Sequence, residues 1–318
     1  MAHIDHNQVA LFADEYINLK KEDVIEYREQ AKRLRERLEA YIAENPDFVL
    51  KKMLLSGSLA KGTALKDIDD IDVAVYISSK DAPEKIGELI DWLAERLRGA
   101  FPNIKADQVV ANPSTITVSF IGTGLRVDVV PVLYDGDEDG KGYIVSKYTG
   151  EKVLTSIPLH LEFMRKRKEA HGPHYAQVIR LLKFWVKQRK LENPNFRFKS
   201  FMIELVVAHL VSRGLRLDNY PHALAKIFAY IAVDGLKSSI VFSDNYHPGL
   251  CVGCPDTIHI WDPVNHENNV AKKYTDAQRQ AIVEAALDAG DAIDSALRAY
   301  TKSEALRYWR KVFGTTFS

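Results

Sequence analysis

The sequence predicts an α+β protein in two parts, a sheet-bearing N-terminal lobe followed by a helical C-terminal lobe. Three observations predict it. Residues 71–77, 115–121 and 126–133 read as short apolar strands, whereas beyond Ser156 the apolar spacing is almost wholly helical. No Pro/Gly-rich linker, repeat or low-complexity stretch separates the two regions. The lobes are therefore placed at 1–157 and 158–318, tightly joined with a cleft between them rather than strung apart.

The first element is a charged amphipathic helix over 21–43. Val24, Tyr27, Ala31, Leu34, Leu38 and Tyr41 recur at threes and fours, and Asn45-Pro46 stops it. The apolar run 48–55 reads as a strand ending at Ser56-Gly57-Ser58. Thr123-Gly124 is a turn signal that makes an antiparallel hairpin of 115–121 and 126–133. A helix over 82–97, with Ile86, Leu89, Ile90, Leu93 and Leu97 on one stripe, packs on the sheet. Pro158 suits a first helical position. Helices then follow near 159–169, 175–190, 200–213 and 223–233, and Thr275 to Gln278 is a capping box opening a helix that continues to about 299. A last amphipathic segment, 303–313, ends at Gly314.

Lys+Arg and Asp+Glu both number 43, so the formal net charge is zero, which removes any global electrostatic case for a nucleic-acid coat protein. The N-terminus lacks the pattern of a secretion signal, and no run approaches the roughly 18 apolar residues of a membrane span. Two cysteines, Cys251 and Cys254, give no disulfide framework. A cytoplasmic location with no membrane partner is expected.

The chemistry sits in LLSGSLAKGTALKDIDDIDVAVYI. Asp70 and Asp72 are two apart at the start of an apolar strand, so both side chains leave one face of the sheet. Asp128 interrupts LRVDVVPVLY, and a lone Asp there is costly to bury unless it is paired or metal-bound. With those strands side by side, three carboxylates converge. They would repel one another without a counter-ion, and magnesium, a hard cation that takes carboxylate and phosphate oxygens, supplies it. Three such groups can hold two ions, and Asp128 is the natural acceptor of a hydroxyl proton. Upstream, eleven residues separate Ser58 from Asp70. Gly57 permits a close backbone approach there, and the Ser58 hydroxyl with nearby amides can donate to phosphate. Asp67/Asp69 form a second Asp-x-Asp pair that is common surface chemistry. The joint pattern, not any one match, points to nucleotidyl transfer.

These residues resemble the polymerase-β-type nucleotidyltransferase superfamily, whose signature is Gly-Ser, a spacer, Asp-apolar-Asp-apolar and a third Asp on a later strand. GSLAKGTALKDIDDIDVAVY further resembles the bacterial cGAS/DncV-like nucleotidyltransferases (CD-NTases), most of all the CdnC and CdnD clades found with HORMA-domain regulators in anti-phage CBASS operons. The similarity continues through VIRLLKFWVK, FRFKSFMIEL and WDPVNHENNVAKKYT.

The resemblance implies a polymerase-β-like lobe with a mixed or antiparallel sheet and a long N-terminal spine helix. It also implies a helical lobe that completes the nucleotide-binding cleft. The chemistry it implies uses Mg2+, two ions replaceable by Mn2+, and ATP with other nucleoside triphosphates as further substrates. The product would be a cyclic oligonucleotide second messenger, best assigned as cyclic tri-AMP, and a HORMA-domain protein the regulatory partner. Lys183 matches the family's triphosphate-binding lysine, Ser200 its phosphate-contacting serine and Phe201 its base-stacking aromatic.

Other features read as structural. His247, Cys251, Cys254 and His259 have a loose zinc-like spacing, but a Cys-x2-Cys within a Pro/Gly-rich loop is more often incidental, so zinc is not expected. The basic cluster Arg165 to Lys168 reads as a solvated helix face, with contact to double-stranded DNA as the activator alternative. Asp262-Pro263 and Asn268-Asn269 read as turn chemistry. The rival functions are a linear transferase acting on RNA ends or a small hydroxylated acceptor, and a catalytically dead nucleotide-binding scaffold.

Overall fold

A computed structural model describes residues 3–45, 49–68, 70–122 and 124–318. The chain divides into two compact units, Leu19–Met164 and Met1–Asn18 with Arg165–Ser318. The opening helix α1 (His6–Tyr16) thus belongs with the helical part, not with the sheet. Asp5 caps it by accepting from the Asn7 and Gln8 backbone, while the Gln8 side chain accepts from the Asp5 N–H.

The sheet unit begins with α2 (Lys21–Glu44), the long helix expected there, which ends at Asn45. Pro46, Asp69, Thr123 and the first residue of the run 48–55, Phe48, lie outside the described residues. Next come β1 (Leu50–Leu55), α3 (Gly57–Lys61) and β2 (Asp70–Ile77). Helix α4 covers Leu89–Ala100 rather than 82–97. Pro83 and Gly87 break the first part of that window, and only a short 3-10 turn at Ile86–Glu88 precedes the helix. Strands β3 (Val109–Ala111), β4 (Ile116–Phe120), β5 (Leu125–Leu133), β6 (Gly142–Val145) and β7 (Lys152–Thr155) complete the sheet.

Strand order is β1-β2-β5-β4-β3, with β6 on β5 and β7 on β6. The β2/β5 pair is parallel and all others are antiparallel, so the sheet is mixed. Its two faces differ. On one, Ile71, Val73, Val75, Val127, Val129, Ile116 and Val118 meet Leu34 and Leu38 of α2 and Leu89, Leu93 and Leu97 of α4 in a large core. On the other, a smaller cluster of Ala74, Tyr76 and Val132 is covered by Tyr134, Ile144 and Ile157.

Helix α5 (Ile157–His171) spans the division between the units, and Pro158 is its second residue, not its first. The helical unit contains α6 (Pro173–Glu192), α7 (Ser200–Ser212), α8 (Tyr220–Asp234), α9 (Asp276–Arg298) and α10 (Lys302–Phe313). Helix α9 opens at the expected capping box, with Thr275 on the Gln278 N–H and Gln278 on the Thr275 N–H. Aromatic packing closes the unit around Phe313. Its ring centroid lies 5.6 Å from that of Phe12 on α1, 5.6 Å from Trp309, 5.9 Å from Phe317 and 6.1 Å from Phe184 on α6.

Among the described residues, no helix is long and apolar enough to cross a membrane. Phe313 is fully buried, so Phe313→Ala is expected to destabilise the helical unit by about 3–5 kcal/mol, read by urea unfolding. A loss below about 1 kcal/mol would show that this ring does not hold the unit together.

Candidate active site

Hydrophobic burial fixes the register of β2 against β5, and that register places the acids. Asp72 pairs with Asp128 across the parallel ladder and Asp70 pairs with Arg126. Laterally paired residues point to the same side of a sheet, and residues two apart do so too. Asp70, Asp72 and Asp128 therefore leave one face, opposite the large core. That face is half-buried at Asp70 and Asp72 and becomes fully buried further along β2, at Ala74 and Tyr76. The acids thus occupy the open end of a strand whose other end is covered.

Neighbouring strands lie about 4.8 Å apart, so unneutralised charges on Asp72 and Asp128 repel by roughly 3 kcal/mol at an effective dielectric of about 20, less with solvent screening. A set of carboxylate oxygens drawn together this way suits a hard divalent cation. Among the described residues, no group of three or more His, Cys, Asp or Glu side chains is already spaced as a finished metal cage.

Gly57 shows how closely the backbone approaches this face. Its φ is +61°, and a Cβ there would fall 1.7 Å from Asp72 Oδ2. Glycine is needed twice over, for the left-handed backbone and for the room left to the carboxylate. The Ser56 N–H donates to the Asp72 carbonyl at 2.8 Å, which ties the turn to β2. Gly57-Ser58 is not a plain turn after β1. It opens α3, which Gly62 ends in the left-handed conformation (φ +71°), while the Thr63 N–H closes on the Ser58 carbonyl at 2.9 Å.

Asp128 has a partner that the sequence reading missed. Thr117 of β4, opposite it in register, donates its hydroxyl to Asp128 Oδ1 at 2.5 Å. Asn112 in turn donates to the Thr117 hydroxyl at 2.9 Å and to the Thr115 hydroxyl at 3.3 Å. The Asp128 carboxylate is thus oriented by a neutral donor chain. The polar-apolar alternation of ITVSF, paired with LRVDV through the hairpin, was the available signal.

The other expected nucleotide contacts, Lys183, Ser200 and Phe201, lie in the helical unit. Lys183 on α6 is no solvated face charge. It is 7% exposed and its Nζ donates to Glu204 Oε1 of α7 at 2.8 Å. Ser200 is the first residue of α7 and exposed, preceded by Lys199 at the cap position. Phe201 is half-buried.

The cysteine loop is stitched by hydrogen bonds. Cys254 Sγ donates to Asp256 Oδ2 at 3.2 Å, His259 Nε2 meets the Cys254 carbonyl at 3.1 Å, and His247 Nδ1 accepts from the Gly249 N–H at 3.1 Å. In the basic cluster, Arg167 holds Asp244 in a bidentate pair at 2.9 and 3.0 Å, and Arg165 pairs with Glu169.

A mixed sheet with three acids on one face beside a Gly-Ser turn defines a nucleotidyltransferase. Residues 20–115 match the nucleotidyltransferase-domain family. A cyclic AMP-AMP-AMP synthase from Escherichia coli strain MS 115-1 is 52% identical over 315 residues, covering 99% of this chain and 98% of the relative. Solved structures of E. coli MS115-1 CdnC, one with ATP and one as a CdnC:HORMA-deltaN complex, superpose with TM-scores of 0.92 and 0.91 at 52% identity, over 99% of both chains. The chain belongs to the CdnC family of CBASS oligonucleotide cyclases. Enzymes of this kind use divalent metal ions, and the donor set of Asp70, Asp72 and Asp128 fits that requirement.

Gly57→Ala is expected to lower nucleotidyl transfer by ~100-fold or more, because displacing Asp72 by even 1 Å disturbs the reacting geometry. Initial-rate assays alongside circular dichroism check it. An active, folded alanine variant would show that the Asp72 carboxylate tolerates displacement.

Proposed function

We propose that this chain joins ATP molecules into a cyclic oligonucleotide second messenger, cyclic tri-AMP, for anti-phage signalling. One observation carries the proposal. Asp72 faces Asp128 beside a glycine that only a missing Cβ accommodates, in a chain 52% identical along nearly its whole length to a cyclic AMP-AMP-AMP synthase.

Asp70, Asp72 and Asp128 would hold two Mg2+ ions, with Mn2+ able to replace them. Bound there, the ions would offset charge on the triphosphate and on the departing pyrophosphate and would make the attacking hydroxyl more acidic. Asp128 accepts the hydroxyl proton as its oxygen attacks the α-phosphorus and the bond to the bridging β-phosphate oxygen breaks. Thr117 positions Asp128 by occupying one of its oxygens. Gly57 and Ser58 contribute backbone and hydroxyl donors to phosphate. Lys183, Ser200 and Phe201 bind the nucleotide, with Phe201 stacking on a base, a contact worth roughly 1–3 kcal/mol. Three such transfers, the last onto the chain's own first nucleotide, close the ring.

A HORMA-domain protein is the proposed regulatory partner, since the CdnC structure in the HORMA-deltaN complex covers 99% of this chain. A cytoplasmic location belongs to the same proposal. Double-stranded DNA does not, because Arg165 and Arg167 of the basic cluster are engaged by Glu169 and Asp244.

The test is incubation of the purified protein, with and without a HORMA-domain partner, with all four labelled triphosphates and magnesium, then phosphatase and mass spectrometry. A phosphatase-resistant product with the mass of a closed adenylate trimer is expected. It should be absent with EDTA, restored by Mg2+ or Mn2+, and reduced at least ~10³-fold in Asp70→Asn/Asp72→Asn. A phosphatase-sensitive product would make the protein a linear transferase. Identical behaviour of wild type and the double variant would make it a scaffold.

A further inference from the structure

Two helices of the helical unit carry charge where their sequence otherwise calls for apolar packing. Glu204 is the single Asp, Glu, Lys or Arg of α7, and it shares a face with fully buried Val207 and Ala208. Lys183 shares a face of α6 with buried Ile179 and Val186. The Lys183 and Glu204 side chains are 6% and 3% exposed, and Lys183 Nζ donates to Glu204 Oε1 at 2.8 Å. Charge placed so deep among apolar neighbours is costly unless it is paired.

Helix packing alone does not account for this pair. Apolar side chains of similar volume often hold two helices as well as a buried ion pair does, or better. A methionine and a leucine in their place would brace α6 against α7 with no charge to desolvate. What they would not supply is an ammonium held at one point. Lysine carries its ammonium on a flexible four-carbon stem, so the partner it holds fixes where the charge sits. An ammonium also has three N–H donors, enough to keep a carboxylate oxygen and take a phosphate oxygen together.

Neighbouring groups do not duplicate Glu204. Asp244 is committed to Arg167 of α5, whose guanidinium it accepts at 2.9 and 3.0 Å. Tyr175 of α6 is fully buried, and burial pushes its hydroxyl well above the ordinary phenol range. Arg167 lowers it, Glu204 and Asp244 raise it further, and the phenol stays neutral. Neither residue would make good a carboxylate lost from α7.

We infer that Glu204 is a positioning residue for nucleotide binding, fixing the Lys183 ammonium for the phosphate chain of an incoming nucleoside triphosphate. This role rests on the reading above in which Lys183 binds the nucleotide, and it adds the group that readies that lysine beforehand. Glu204 acts through Lys183 and touches no phosphate itself.

Isothermal titration of the full-length protein in Mg2+ tests this with two ligands. One is α,β-methylene-ATP, which has the whole phosphate chain but cannot release pyrophosphate. The other is AMP, which lacks the outer two phosphates. Glu204→Gln keeps the side chain's shape and removes its charge, and it is expected to weaken the ATP analogue at least ~10-fold while AMP stays within about twofold of wild type. Lys183→Met/Glu204→Leu should show the same split, with an unfolding midpoint no lower than that of wild type. Glu204→Asp, which keeps the charge but draws it back by one methylene, should lose part of the analogue's affinity and none for AMP. It carries the test if Glu204→Gln does not fold. Equal weakening of both ligands would make the pair a brace and overturn the inference. So would wild-type or tighter binding of the analogue in Glu204→Gln, the latter showing that Glu204 competes with phosphate for Lys183. If the analogue is weakened in Lys183→Met/Glu204→Leu but not in Glu204→Gln, only the role of Glu204 falls. If neither variant weakens it, Lys183 is no nucleotide ligand, and the reading beneath falls as well.

Discussion

The pairing of β2 with β5 is the constraint from which the rest of the site follows. In a strand, sliding by one residue moves every side chain to the other face. Val127 and Val129 lie in the large core beside Ile71 and Val73, all at 0–1% exposure, so such a slip of β5 would expose Val127 and Val129 and bury Asp128 in their place. Each of those side chains is worth ~1.5–3 kcal/mol when buried, which is ample to lock one register. Apolar packing on one face thus decides where charge meets on the other. Thr117 reaches Asp128, and Gly57 lies against Asp72, only within that register.

The two units handle concentrated charge in different ways. In the sheet unit, acids of one sign share a face and keep their carboxylates at the half-buried end of a strand. In the helical unit, the deeply buried Lys183 of α6 is matched by Glu204 of α7, as the expense of burying an unpaired ion demands. Arg197 and Lys199 at the entrance of α7 and Lys272 on the loop before α9 are half-buried, and Lys273 is exposed.

Much of this was legible in the chain and some was not, for physical reasons. Asp70, Asp72 and Asp128 stood out because each breaks an apolar run at strand period, and α2 and α9 because their apolar spacing or caps are regular. Strands β3, β6 and β7 span only three or four residues and carry no alternation to read. Helix α1 did carry a signal, the Asp5-to-Gln8 capping box ahead of Val9, Phe12 and Ala13, the residues it buries. The Lys183–Glu204 pair joins residues of two helices, and the Lys199–Tyr274 hydrogen bond joins residues more than seventy positions apart. Contacts of that kind are created by tertiary packing, and no local pattern records them.

The acid face also has a consequence for how such a protein can change. Three carboxylates held on one side of a sheet repel one another, and an amide at any of them lessens that repulsion without altering size. On the proposed metal-holding role of these acids, heat resistance and turnover pull these positions in opposite directions. A screen that selects survivors of heating, blind to chemistry, would enrich sturdier chains that have gone silent. Improvement of such a scaffold has to leave residues 70, 72 and 128 alone and look for its gains on the core side of the same strands.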